Sequence, residues 1–107
     1  MRLVPGILAA ILAMASIGHA AAAADPKRGE TLLAHDCGRC HAVGRSGASA
    51  DKDAPPFRTL GKRYPVEDLE ESLGEGTLTG HPDMPEFKYE ADEVGGIIAH
   101  LKSIQQP

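Results

Sequence analysis

The chain has 107 residues with 11 Lys+Arg against 15 Asp+Glu, a formal charge of −4, no Trp, two Tyr and two Phe. That length makes one small domain, and the acidic balance argues against nucleic acid or an anionic membrane surface as partner. Large core-filling side chains are scarce and two cysteines permit at most one disulfide, so a chain of this size needs a metal or cofactor to complete its core.

The first segment reads as an export signal. Met1-Arg2 supplies the positive start, Leu3–Ala15 is an apolar run, and the small residues of SIGHAAAAAD offer an exit between Ala20 and Ala24. The alternative is an uncleaved anchor, but the run is shorter than the ~20 apolar residues of a spanning helix and Pro5-Gly6 interrupts it. Residues 1–20 are therefore expected to be a Sec-type signal peptide, with cleavage as late as residue 24. Residues 25–107 form the domain, placed in the periplasm. Only an uncleaved segment would hold it at a membrane.

Asp25-Pro26 has the form of a helix start, with Asp able to cap free backbone N–H groups and Pro suited to the first helical position. KRGETLLAHD then predicts a helix running to Cys37, in which Gly29 marks either a close approach by another element or a tolerated cost of ~1 kcal/mol. Residues 42–63, with three Gly and two Pro, read as a long loop of the kind that is functional or wrapped around something. A second helix is expected from Pro65, with Val66, Leu69 and Leu73 at helical spacing and Gly74 at its end. Residues 74–89 read as loop again. Val94, Ile97, Ile98, Leu101 and Ile104 then share one face of a helix over 91–105, with Asp92, Glu93 and Lys102 placed to suit its dipole. About three helices and no convincing strand predict an all-α fold with something else at its centre.

The chemistry sits in CGRCH, residues 37–41. A disulfide between Cys37 and Cys40 closes too small a loop to stabilise much. A thioredoxin-like redox pair wants a βαβ context that is missing. A structural zinc site wants four ligands, usually as two pairs, and His35, His41, His81 and His100 supply no second pair. The remaining reading is covalent haem: two thiols add to the two vinyl groups, and the adjacent His41 turns a ring nitrogen toward iron. In this logic only the spacing matters, so Gly38 and Arg39 are free to vary. Met84 is the sole methionine beyond the export segment and lies between Pro82 and Pro85 in a polar loop, an unusual place for a core methionine. Its thioether suits iron(II) and would raise the reduction potential. His81 is the competing ligand, and bis-histidine ligation would lower that potential.

From Asp25 to about Gln105 the chain resembles the small class I c-type cytochromes of bacteria, on the strength of CGRCH after a first helix, a Met-Pro-x-Phe loop (Met84, Pro85, Phe87) and a closing amphipathic helix. The resemblance implies a cytochrome c-like fold wrapped around one covalently bound haem c, with Cys37 and Cys40 as thioether sites and His41 and Met84 as axial ligands of the iron. It also implies that Pro56, in APPF, turns a backbone carbonyl to the His41 ring N–H. In the family a glycine of the first helix meets an aromatic of the last. Gly29 matches the first, and His100 stands where the aromatic is expected. Tyr64, Arg58 and Arg63 are candidates for the haem propionates, with solvation the plainer fate of each.

The expected function is that of an exported monohaem one-electron carrier, not an enzyme, with no catalytic residues and no small-molecule substrate. Redox proteins would dock transiently through complementary charge. The alternatives are a haem-bearing subunit of a larger dehydrogenase or oxidase, and a haem peroxidase or gas-binding module, which needs an open iron position.

Overall fold

A computed structural model describes Arg2 and residues 13–16, 24–76 and 82–107. His81 and most of the expected export segment lie outside the described residues. Those described contain three α-helices, α1 (Pro26–Asp36), α2 (Leu69–Glu75) and α3 (Ala91–Ile104), two 3₁₀ helices, Phe57–Lys62 and Val66–Asp68, and no strand. None of these helices is long and apolar enough to cross a membrane.

Helix α1 starts where Asp25 predicts. The Asp25 carboxylate accepts from the Lys27 and Arg28 N–H groups at 3.0 and 3.4 Å, with Pro26 in the first turn. Helix α3 starts with a reciprocal cap, in which the Glu90 side chain takes the Glu93 N–H and the Glu93 carboxylate takes the Glu90 N–H at 3.0 Å. All five apolar positions on the predicted face of α3 are buried, and Ile97 and Leu101 are the most enclosed side chains of the core. Helices α1 and α2 and both 3₁₀ helices pack on α3.

The α1–α3 crossing is closer than any side chain would permit. A methyl group on Gly29 would run into the Gly96 carbonyl, and one on Gly96 would lie 2.5 Å from the Asp25 carbonyl oxygen. Gly29 thus lies directly against the backbone of Gly96. His100 lies one turn further along α3 and is also buried, its Nε2–H donating to the Val43 carbonyl at 2.7 Å. Across the rim of the crossing, Arg28 pairs with Asp92 and Glu93 at 3.6 and 3.3 Å.

The expected second helix is two pieces. Pro65 leads into a 3₁₀ turn at Val66–Asp68, which passes into α2, and the helix ends one residue beyond Gly74, at Glu75. Gly76, with φ +107°, takes the backbone out of the helix, a conformation open to glycine. The long loop contains the other 3₁₀ helix, which the end of α3 holds in place. Gln105 donates through its side-chain amide to the Phe57 carbonyl at 2.9 Å and accepts from the Gly61 N–H at 2.7 Å, while the Gln106 N–H donates to the Arg58 carbonyl at 3.0 Å.

Candidate functional site

Cys37 is both the C-cap of α1 and the first residue of the motif. Its N–H donates to the Leu33 carbonyl at 2.8 Å, and its own carbonyl accepts from the Cys40 and His41 N–H groups at 3.2 and 2.9 Å. The chain therefore winds on beyond the helix for one more turn, bringing Cys37, Cys40 and His41 together. Gly38 is not free to vary in this turn, because a methyl group there would strike the Ala34 carbonyl. Arg39 is exposed.

Neither cysteine is paired in a disulfide, and both are half-buried. Before any attachment, burial, then the charges of Asp36 and Cys40, push the Cys37 thiol up to about 11. Among the described residues no three of His, Cys, Asp and Glu converge as a metal site would require. Among those residues the pair has no further ligands of the kind a zinc centre needs.

The imidazole of His41 is held from two sides. Its Nδ1–H donates to the Pro55 carbonyl at 2.8 Å, and Phe57 stacks on its face with ring centroids 4.6 Å apart and planes inclined by 28°. The carbonyl belongs to Pro55 rather than Pro56, because Pro56 caps the 3₁₀ helix and its own carbonyl accepts from the Thr59 N–H and hydroxyl. With Nδ1 committed as a donor, Nε2 of the neutral ring keeps its lone pair for a ligand. The loop behind the imidazole is tied to the same turn. The Phe57 N–H donates to the Ala42 carbonyl at 3.0 Å and the Asp51 N–H to the Cys40 carbonyl at 3.1 Å.

Met84 is half-buried between the exposed Pro82 and Pro85. Phe87 packs on the core from the same segment, its ring 6.3 Å from that of Tyr89. The segment is anchored at Tyr89, whose N–H donates to the Leu73 carbonyl at 2.9 Å and whose hydroxyl donates to Asp36 Oδ2 at 2.7 Å. Asp36 also accepts from the His35 Nδ1–H at 2.7 Å; these two bonds, His35's the larger effect, hold its carboxyl below the usual range. Burial first, and then the bond to Asp36, push the Tyr89 hydroxyl upward, so it is a neutral donor. Of the propionate candidates, Arg58 donates to the Gly47 carbonyl at 2.7 Å, and Arg63 and Tyr64 are exposed.

Sequence reasoning passed over Phe57, Tyr89 and Asp36. Phe57 had a visible signal: it follows a double proline, in a chain with only two phenylalanines. Tyr89 and Asp36 had none, being 53 residues apart.

The donor set suits a covalently attached haem. Two unpaired thiols lie a single turn apart, an oriented imidazole with one free nitrogen follows them, and Cys37 and Val43 pack against the apolar core. Comparison with known proteins agrees. Residues 24–101 match the family described as cytochrome C oxidase, cbb3-type, subunit III. Cytochrome c-552 of Bradyrhizobium diazoefficiens (strain JCM 10833 / BCRC 13528 / IAM 13628 / NBRC 14792 / USDA 110) is 35% identical over 95 residues, 89% of each chain. No solved structure matches.

Proposed function

The chain belongs to this family of c-type cytochromes, as a monohaem electron carrier with haem c as its cofactor, and we propose that Cys37 and Cys40 hold the haem through two thioethers while His41 and Met84 fill the axial positions of its iron. When bound, the haem supplies a one-electron Fe(III)/Fe(II) couple. The observation that carries the assignment is the bond from His41 Nδ1 to Pro55, which fixes the tautomer and directs the free Nε2 away from the loop. The protein's own part is to hold that ring beside the apolar core of Phe57, Leu33 and the α3 face, and to present Met84 from a segment pinned at Tyr89.

With His41 and Met84 both on the iron, no coordination position would be left for peroxide or a diatomic gas, and the protein would act as a carrier rather than a catalyst. Redox proteins would meet it through brief, charge-complementary contacts. Export to the periplasm by the N-terminal segment belongs to the same reading.

An optical spectrum of the native protein tests the ligand set. A sharp reduced α-band with a weak methionine-to-iron charge-transfer feature near the red limit, unaffected by carbon monoxide, is expected. Loss of that feature while the iron remains low-spin would assign the sixth position to His81 instead.

A second reading, a haem-bearing subunit of an oxidase, draws on the description of the matching family. The relative matched over 89% of its own length is itself a cytochrome c-552, which favours the free carrier. Size-exclusion chromatography of the native extract separates them: a carrier elutes alone, a subunit with its complex.

A further inference from the structure

A ligating imidazole has one orientational freedom that its hydrogen bond does not remove. The Nδ1–H bond to Pro55 sets where that nitrogen points, but a bond to a carbonyl oxygen tolerates a broad spread of approach angles. The ring can therefore rock about the axis through its liganding nitrogen. Fixing the plane needs a wall against its face.

Phe57 is such a wall. It is 7% exposed, and its ring lies on the imidazole at 4.6 Å with a tilt of 28°, within the offset-stacked range of aromatic pairs. The wall is itself clamped on both sides. Its N–H donates to the carbonyl of Ala42, the residue following His41, and its own carbonyl accepts from the Gln105 amide at 2.9 Å. The same amide donates to the Leu101 carbonyl at 2.8 Å, so the clamp leads into the most enclosed part of α3.

We propose that Phe57 is a positioning residue that sets the plane of the His41 imidazole, and that Gln105 holds Phe57 in register with α3. This rests on the reading of His41 as an axial ligand. The orientation of the ring plane decides how imidazole π-density meets the iron d-orbitals, and so, together with the methionine sulfur, sets the magnetic axes of the ferric centre. A side chain that only filled space would leave those axes unmoved.

The test uses ferric holoprotein. Proton NMR reads the order and spread of the four haem methyl resonances, and electron paramagnetic resonance reads the g-values. In Phe57→Leu, which keeps an apolar side chain but loses the stack, the methyl order and g-anisotropy should shift while the methionine charge-transfer feature persists. Phe57→Tyr, which restores an aromatic face, should return the native pattern. Gln105→Ala should move the same resonances in the same direction by less.

Native methyl order and g-values in Phe57→Leu would overturn the proposal, as would equal disturbance in Phe57→Tyr. Should Phe57→Leu fail to accumulate as holoprotein, Gln105→Ala decides alone, and an unshifted spectrum there refutes the coupling. Failure of the ligand assignment looks different: the native protein itself would lack the low-spin histidine–methionine signature.

Discussion

The Tyr89 hydroxyl donates to Asp36 at 2.7 Å, tying the exit of the methionine segment to the residue before Cys37. This bond spans 53 residues of chain and fastens the segment that carries Met84 to the turn that carries the thiols and His41. Removing it with Tyr89→Phe should cost about 1.5–3 kcal/mol in denaturant unfolding of the holoprotein, the range for a hydrogen bond to a charged group. The methionine charge-transfer absorbance should weaken in the same variant. Unchanged absorbance would show that the segment is held by other contacts.

The same carboxylate makes a prediction about acid stability. Bonds from His35 and Tyr89 hold Asp36 below the ordinary carboxyl range in the folded protein, and its side chain is 18% exposed. A group with a lowered folded pKa stabilises the fold fully above its unfolded value, ~3.9, and loses that contribution as pH falls through the folded value. Asp36→Asn should therefore lower stability at neutral pH and flatten the decline below about pH 4. Urea midpoints measured across pH 2–7 check the sign.

The helix crossing separates two neighbouring glycine–alanine substitutions. In Gly29→Ala the new methyl meets the Gly96 carbonyl and the Ile97 nitrogen, which are rigid backbone. A loss of about 3 kcal/mol or more is expected. At Gly95 a methyl would find only the Ala24 side chain, at 3.6 Å, an ordinary contact. There Gly95→Ala should stabilise α3 by up to about 1 kcal/mol through helix propensity. Thermal melts of the two holoproteins should move in opposite directions.

How much of this was legible in the sequence follows from the range of each interaction. Local signals came through: Asp25-Pro26 as the start of α1 and the five-residue apolar face of α3. Features set by contacts far along the chain did not. The 3₁₀ helix Phe57–Lys62 sits in a Gly/Pro-rich stretch with no helical period, and it is held by Gln105 from the opposite end of the domain. The choice of Pro55 over Pro56 for the His41 bond depends on where that 3₁₀ helix begins. Gly38 looked interchangeable because spacing alone defines the motif; its closeness to Ala34 becomes visible only once the turn is wound.

Replacing Met84 tests the distal position without touching the attachment turn. Met84→Ala should remove the charge-transfer feature and let carbon monoxide bind the reduced protein. Its reduction potential should fall by an amount on the order of hundreds of millivolts, since axial ligation sets haem potentials over a span of ~0.8 V. Optical titration against redox mediators reads the potential directly.

The claim under all of these is that a haem is bonded to Cys37 and Cys40. The decisive measurement is the intact mass of the native protein under denaturing conditions that strip any loosely held group. One mass is expected, equal to the polypeptide plus a single haem, with no thiol left to alkylate. The bare mass of the polypeptide, with both cysteines open to alkylation, would contradict it.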